Sequence, residues 1–324
     1  MSRIDVHHHA ILPEIARLMR ELGAPFTIPW SAADTARVMA ENDIEYALIS
    51  NAVPGDFFTD ARRAAGFHRA VNEAVAEYVS ERRERFGLIS AVPMPYVDKS
   101  LDEVAYSFDV LNAAGVLLVP HSGENYLGDP LYDPLLAELN RRAAVVLVHP
   151  MALSGPAAPQ VPYVLADFLL DTTRGALSLI LSGALDRYPD IQFILSHGGG
   201  FLPYSATRAD LLATAFFEVD AGLVERSLPR FWYDTALTGP SALPSLLGTV
   251  GPERVLFGTD WCAAPENAVR TVAAALNEPW PQLHGPAREM VDRGNALRLF
   301  PDVAQQLGAE STCLRAASKC RVPV

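Results

Sequence analysis

Eight apolar runs recur along the chain, each followed by a stretch with helical spacing, and no other feature limits the fold as tightly. The runs are residues 3–9 ("RIDVHHH"), 46–52, 86–93, 115–120, 144–149, 191–197, 232–237 and 254–260. Helix-like patterns occupy residues 31–42, 61–84, 99–113, 131–142, 162–188, 202–215, 240–250 and 265–277, the last followed by 286–300. The runs are nearly continuously apolar, which predicts parallel strands buried on both faces. A parallel strand needs a crossover to reach its neighbour, and the helical stretches supply one each time. Eight such units predict one α/β domain over residues 1–301, a (β/α)8 TIM barrel whose chemistry sits at the C-terminal ends of the strands. Residues 302–324 lose clear periodicity and read as a C-terminal tail.

Four of the runs end in a side chain able to bind a metal: His7 and His9 in the first, His149 in "AAVVLVHP", His197 in "IQFILSHGGG" and Asp260 in "RVLFGTDW". Residues i and i+2 of a strand share a face, so His7 and His9 converge while His8 points away, to packing or to orienting a neighbour. A histidine triplet near the chain start resembles a tag fragment, but here it completes a natural strand that begins at Arg3. Neutral imidazoles and a carboxylate around an open position form a catalytic site for Zn²⁺ or a similar divalent ion. A structural zinc site would draw on closely spaced Cys and His instead, which speaks against a metal-stabilised binding protein.

Composition excludes other classes. The chain of 324 residues is 50% hydrophobic with a formal net charge of −12, the profile of a soluble globular protein and not of one that coats nucleic acid, which needs clustered Lys and Arg. No apolar window is long enough to cross a bilayer and no leader precedes the first strand, so a cytoplasmic location is expected. Cys262, Cys313 and Cys320 are too few and too unevenly placed for a disulfide framework. Cys262 reads as a small filler beside Asp260 and not as a nucleophile, since no activating base lies near it in sequence.

The fourth run ends in Val119, Pro120 and His121, with no lysine to bridge two ions, and a mononuclear site follows. Residues 21–31 and 152–162 are Pro/Gly-rich loops on the same rim, placed to act as walls or lids. Trp30 and Phe26 on the first of them line an aromatic substrate cavity or cover the barrel mouth.

"IDVHHH", "VHP", "SHGGGFLPY" and "GTDW" together resemble the amidohydrolase superfamily branch that holds aminocarboxymuconate semialdehyde decarboxylase and related non-oxidative aromatic decarboxylases. The stretch "DTTRGALSLILSGALDRYPDIQFILSHGGG" is similar to the 6-methylsalicylate decarboxylase group within it. The resemblance spans roughly residues 3 to 300. It implies one divalent metal held by His7, His9, His149 and Asp260, with His197 a catalytic residue that hydrogen-bonds bound water or substrate. Relatives with Glu in the first-strand motif tend to use manganese, so His7 there implies zinc, with manganese the alternative. Arg208 matches an arginine that reaches the substrate carboxylate of a neighbouring subunit, which implies a homodimer. The muconate enzyme has a further substrate arginine ahead of the tryptophan that matches Trp30, and "APFTIPW" here has none. That loss implies a monocarboxylate in a more apolar pocket.

The implied reaction is decarboxylation of a small ortho-hydroxybenzoate-like acid, with release of CO₂. The ring carbon must be protonated before the carboxylate can leave, and Asp260 or His197 is placed to deliver the proton. A carboxylate beside a cation has a lowered pKa, so Asp260 would first take that proton from the substrate hydroxyl or from water. The alternative from the same ligands is hydrolysis of a small lactone or amide by an activated water. Either way no nucleic acid and no membrane is a partner.

Overall fold

The computed structural model describes residues 2–23, 28–53, 57–153 and 160–308. Eight parallel strands follow one another around a single sheet in chain order: β1 Arg3–His9, β2 Ile44–Ser50, β3 Phe86–Ala91, β4 Gly115–Leu118, β5 Val145–Val148, β6 Gln192–Leu195, β7 Trp232–Asp234 and β8 Val255–Leu256. The ring closes where β8 meets β1. Val6 N donates to Phe257 O at 3.0 Å, Asp260 N to His7 O at 2.8 Å and His9 N to Trp261 O, and His8 bridges Trp261. The expected barrel is therefore present, and its apolar strands are buried as continuous runs demand: every residue of β3, β4, β5 and β7 is buried.

Local signals account for the crossovers. Ser31 caps the helix Ala32–Glu41 by accepting from Asp34 N, and Asp60 caps Ala61–Ser80 by accepting from Arg63 N. Strand limits shift from expectation. β2 starts at Ile44 and stops at Ser50, and β7 stops at Asp234 and not at residue 237, because Thr235 onward turns to face the rim. The stretch 162–188 is broken: a 3₁₀ turn Tyr163–Leu165, then Asp167–Leu181, then Ala184–Arg187 after left-handed Gly183. A helix Pro13–Glu21 and a small hairpin, His121–Ser122 against Asn125–Tyr126, were not foreseen. The helix Pro301–Gln306, with Val303 buried, runs past the tail boundary placed at residue 302; residues 309–324 lie outside the described residues. Among the described residues no helix is long and apolar enough to cross a membrane.

Candidate metal centre and its surroundings

β1 carries His7 and His9 to the rim with ring centroids 5.1 Å apart, and His149, one residue past β5, stands 5.0 Å from each. Asp260 follows β8. One ligand atom from each of His7, His9, His149 and Asp260 lies within 4.8 Å of all the others, and all four residues are buried. The orientation of the rings is set from behind. His7 Nδ1 meets Asp234 Oδ2 at 2.8 Å, His9 Nδ1 meets the Ser50 carbonyl at 2.7 Å, and His149 Nδ1 meets the Pro150 carbonyl at 3.0 Å. An acceptor at each Nδ1 draws the single proton of a neutral imidazole there and leaves the Nε2 lone pairs converging. His7 Nε2 is 3.3 Å from Asp260 Oδ1, yet neither it nor His149 Nε2 has a hydrogen-bond partner although both are buried. Buried polar atoms without partners are costly, and a cation among them removes that cost. Three imidazole nitrogens and a carboxylate oxygen are a donor set that fits one divalent ion.

The electrostatics agree with the geometry. Burial opposes a charge on His7, but the Asp234 and Asp260 carboxylates outweigh it and raise His7 to about 10. Burial also opposes the Asp260 charge, yet the charge on His7 and hydrogen bonds from the surrounding imidazoles hold Asp260 well below the usual carboxylate range. Burial, reinforced by His7 and His9, keeps His149 well below the usual imidazole range and therefore neutral. Asp234 and Asp260 thus favour a positive charge at the His7 position, and a bound divalent ion would take the place of that proton and leave the imidazole neutral.

His197 follows β6, with Nε2 3.3 Å from Asp260 Oδ2. Both residues have left-handed backbones, φ +54° at His197 and +62° at Asp260, a conformation that costs a side chain of the L series energy and that clusters at functional sites. The glycines after His197 have a steric reason. A Cβ on Gly199 would meet the Tyr233 ring at 2.7 Å, and one on Gly200 would run into the Leu169 carbonyl. His197 also lines a cavity of about 300 Å³ with Phe201, Tyr204, Leu237 and Thr238.

Of the other expected site residues, Arg208 and Trp30 lie among the described residues. Arg208 is exposed on the helix Leu202–Phe217 and makes no hydrogen bond or ion pair among the described residues. Trp30 packs edge-to-face on Tyr78 at 5.7 Å and lines a separate shallow cavity with Leu12, Pro13 and Arg82, with none of the cluster residues on its wall. Phe26 lies outside the described residues. His8 is turned away, its Nδ1 2.9 Å from Asp5 Oδ2. Cys262 is buried, and burial raises its thiol to about 11, which suits a filler and not a nucleophile. His121 is held by the fully buried Asp171 at 2.7 Å, whose other oxygen accepts from Met151 N two residues past His149. Two carboxylates escaped sequence reasoning, Asp171 and Asp234. Asp234 ends β7, but the expected run 232–237 put the strand end three residues later, so the rule that found Asp260 passed it by.

A family model described as Amidohydrolase matches residues 4–301. The chain is 34% identical over 329 residues to the decarboxylase macB of Penicillium terrestre, across 93% of this chain and 95% of that protein. It is 32% identical over 319 residues to the 6-methylsalicylic acid decarboxylase of Penicillium expansum, across 93% of this chain and 97% of that protein. Among solved structures, a dihydroxybenzoic acid decarboxylase from a Polaromonas species, with bound manganese and the inhibitor 2-nitroresorcinol, matches with a TM-score of 0.76. That match covers 94% of this chain and 99% of the other at 22% identity, a likeness of fold.

Proposed function

The chain belongs to the amidohydrolase family, and from that premise we propose that it is a metal-dependent, non-oxidative carboxy-lyase that releases CO₂ from a small aromatic acid with a hydroxyl ortho to its carboxylate. One observation carries the reading: a buried cluster of three imidazoles and a carboxylate, backed by His197, in a chain whose relatives are named decarboxylases along nearly their full lengths. His7, His9, His149 and Asp260 would hold the ion. We assign zinc, because the first strand supplies His7 in place of a carboxylate, and keep manganese, bound by the Polaromonas enzyme, as the alternative. When bound, such an ion supplies positive charge that fixes the carboxylate and ortho oxygen of the substrate and polarises the ring.

The remaining chemistry belongs to the side chains. Asp260 takes up the proton of the substrate hydroxyl and passes it to the ring carbon that bears the carboxylate. The carbon–carbon bond then breaks, its electron pair restores the aromatic ring, and CO₂ leaves. His197, 3.3 Å from Asp260 through Nε2, is placed to share that proton. A homodimer completes the site in this reading. Arg208 shares a helix face with exposed Tyr204 and Leu211, and exposed Phe216 and Phe217 end the same helix, apolar surface of the kind that pairs with another protein. Through it Arg208 would reach the partner's substrate carboxylate with a forked contact. Trp30 and Phe26 would wall the ring, and the cytoplasm is the compartment that suits a free thiol such as that of Cys262.

The test incubates purified protein of known metal content with a panel of ortho-hydroxybenzoates and aryl lactones, following CO₂ and ring absorbance. CO₂ release that stops on chelation and in Asp260→Asn is the expected result. Metal-dependent lactone turnover without CO₂ would overturn it in favour of a hydrolase.

A further inference from the structure

Asp234 closes β7 with a fully buried carboxylate, and both of its oxygens are committed. Oδ2 accepts from His7 Nδ1 at 2.8 Å, while Oδ1 accepts from the backbone N–H groups of His197 and Ala236, each at 2.9 Å. We infer that Asp234 is a positioning residue that sets two parts of the site at once: it fixes the tautomer of His7 and it seats His197 against Asp260. The inference rests on the metal-site reading above.

The geometry supports each half. A neutral imidazole carries one proton, and with that proton on Nδ1 facing Asp234, His7 can offer only Nε2 to an ion. His9 and His149 are held by the Ser50 and Pro150 carbonyls, so His7 alone among the three depends for its orientation on a side chain. His197 has φ +54°, and a strained backbone persists where its surroundings over-determine it; the bond from its N–H to Asp234 is one such restraint. Room for the pair is made by Gly258, where a Cβ would meet Asp234 Cβ at 2.9 Å and His7 Cβ at 3.1 Å.

Asparagine has the shape of aspartate but cannot do both tasks. If its single oxygen faces His7, its NH₂ faces the His197 and Ala236 N–H groups, donor against donor. If the oxygen faces those N–H groups, the NH₂ faces His7 Nδ1, which must then accept and move its own proton to Nε2, where the ion binds. Asp234→Asn therefore separates positioning from mere bulk.

The experiment uses the full chain and Zn²⁺ as the probe, measuring Zn²⁺ affinity by competition with a chelating dye and kcat at saturating Zn²⁺. Asp234→Asn is expected to bind Zn²⁺ about 10–100-fold more weakly, the range for loss of a partner behind a metal-bound histidine, and to keep a lowered kcat even when loaded. A carboxylate with a purely structural role would lower thermal stability and leave Zn²⁺ affinity within twofold of wild type, and that result overturns the inference. Should the variant not fold, ¹⁵N NMR of the Zn²⁺-loaded wild-type protein decides: a His7 proton on Nδ1 supports it, and one on Nε2 overturns it. Wild-type protein that takes up no Zn²⁺ would sink the metal site itself and this inference with it, an outcome distinct from a tight wild type beside an unaffected variant.

Discussion

Replacing Gly199 by alanine adds one methyl group to the turn that carries His197, and the structure sets its cost. Gly199 has φ +76°, and the new Cβ would sit 2.7 Å from Cε1 and 2.8 Å from Cδ1 of Tyr233, a ring that is fully buried with its hydroxyl donating to the Leu228 carbonyl at 3.0 Å. The left-handed backbone costs alanine roughly 1–2 kcal/mol and the overpacking a further 1–3 kcal/mol, so about 2–5 kcal/mol together. With an unfolding entropy near 2.1 cal/mol/K per residue, 324 residues give about 0.7 kcal/mol/K, and Tm falls by about 3–7 °C. The turn must shift to relieve the contact, which draws His197 from its 3.3 Å approach to Asp260; kcat at 25 °C, far below Tm, is expected to fall at least about tenfold, in the range contributed by a positioned acid or base. Gly248→Ala is the matched control. It lies inside the helix Gly239–Val250 with nothing within 4 Å of its Cβ, so the same methyl should stabilise by about 1 kcal/mol through helix propensity. Calorimetry and initial rates on both variants decide the matter. A Gly199→Ala protein with wild-type Tm and wild-type kcat would refute the claim that this turn must be left-handed and must clear Tyr233.

Three further outcomes are expected. Chelation should lower Tm by about 4 °C relative to protein held at a free ion concentration 100 times its Kd, since such binding contributes about 2.7 kcal/mol; His149→Ala should abolish the difference, and an unchanged wild-type Tm would argue against a bound ion. Burial holds His68 below the usual imidazole range despite carbonyls of Ala64 and Val53 at 2.8 Å on its two nitrogens. Below about pH 6.5 the unfolded chain therefore binds the His68 proton that the folded chain resists, so stability is full above that pH and is lost as pH falls. Urea midpoints between pH 5 and 7 should show a smaller acid loss in His68→Gln than in wild type, and parallel curves would contradict this. Arg208→Ala should raise KM about 10–100-fold, the worth of a charge-assisted hydrogen bond, with Tm unchanged because the side chain makes no hydrogen bond or ion pair among the described residues; an unaltered KM would remove it from the proposed site.

The barrel and the cluster were legible in the sequence for one reason. Each residue of the cluster lies at the end of an apolar run, and a strand converts a position in the sequence directly into a position on the rim. His7 and His9 needed only the two-residue period of a strand, and both turn inward as that period requires. Loop residues are less legible. Trp30 faces Tyr78 and a cavity of its own, because the path of an irregular segment is set by packing that no local pattern encodes. His121 is held by Asp171, fifty residues away, a contact that no local pattern encodes. Asp234 was overlooked for a different reason: β7 spans only Trp232–Asp234, and the expected strand ran on to residue 237, which left its last residue without the mark of a strand end.

That mark has a physical origin. Past β6 and β8 the chain must leave the sheet while its last side chain stays in the barrel mouth, and at His197 and Asp260 it does so through a left-handed residue. Glycine would reach the same backbone at lower cost, but glycine brings no imidazole or carboxylate. At His197 a left-handed residue thus carries its imidazole at the turn itself, and Gly198, Gly199 and Gly200 follow, all with positive φ and no side chain to lose. Asp234 and the β1–β8 bonds hold the strained residues from outside: His197 N–H rests on Asp234 and Asp260 N–H on the His7 carbonyl. His7, a proposed ligand, is bound to both restraints, so the candidate ion site and the strained turns that flank it stand or fall together.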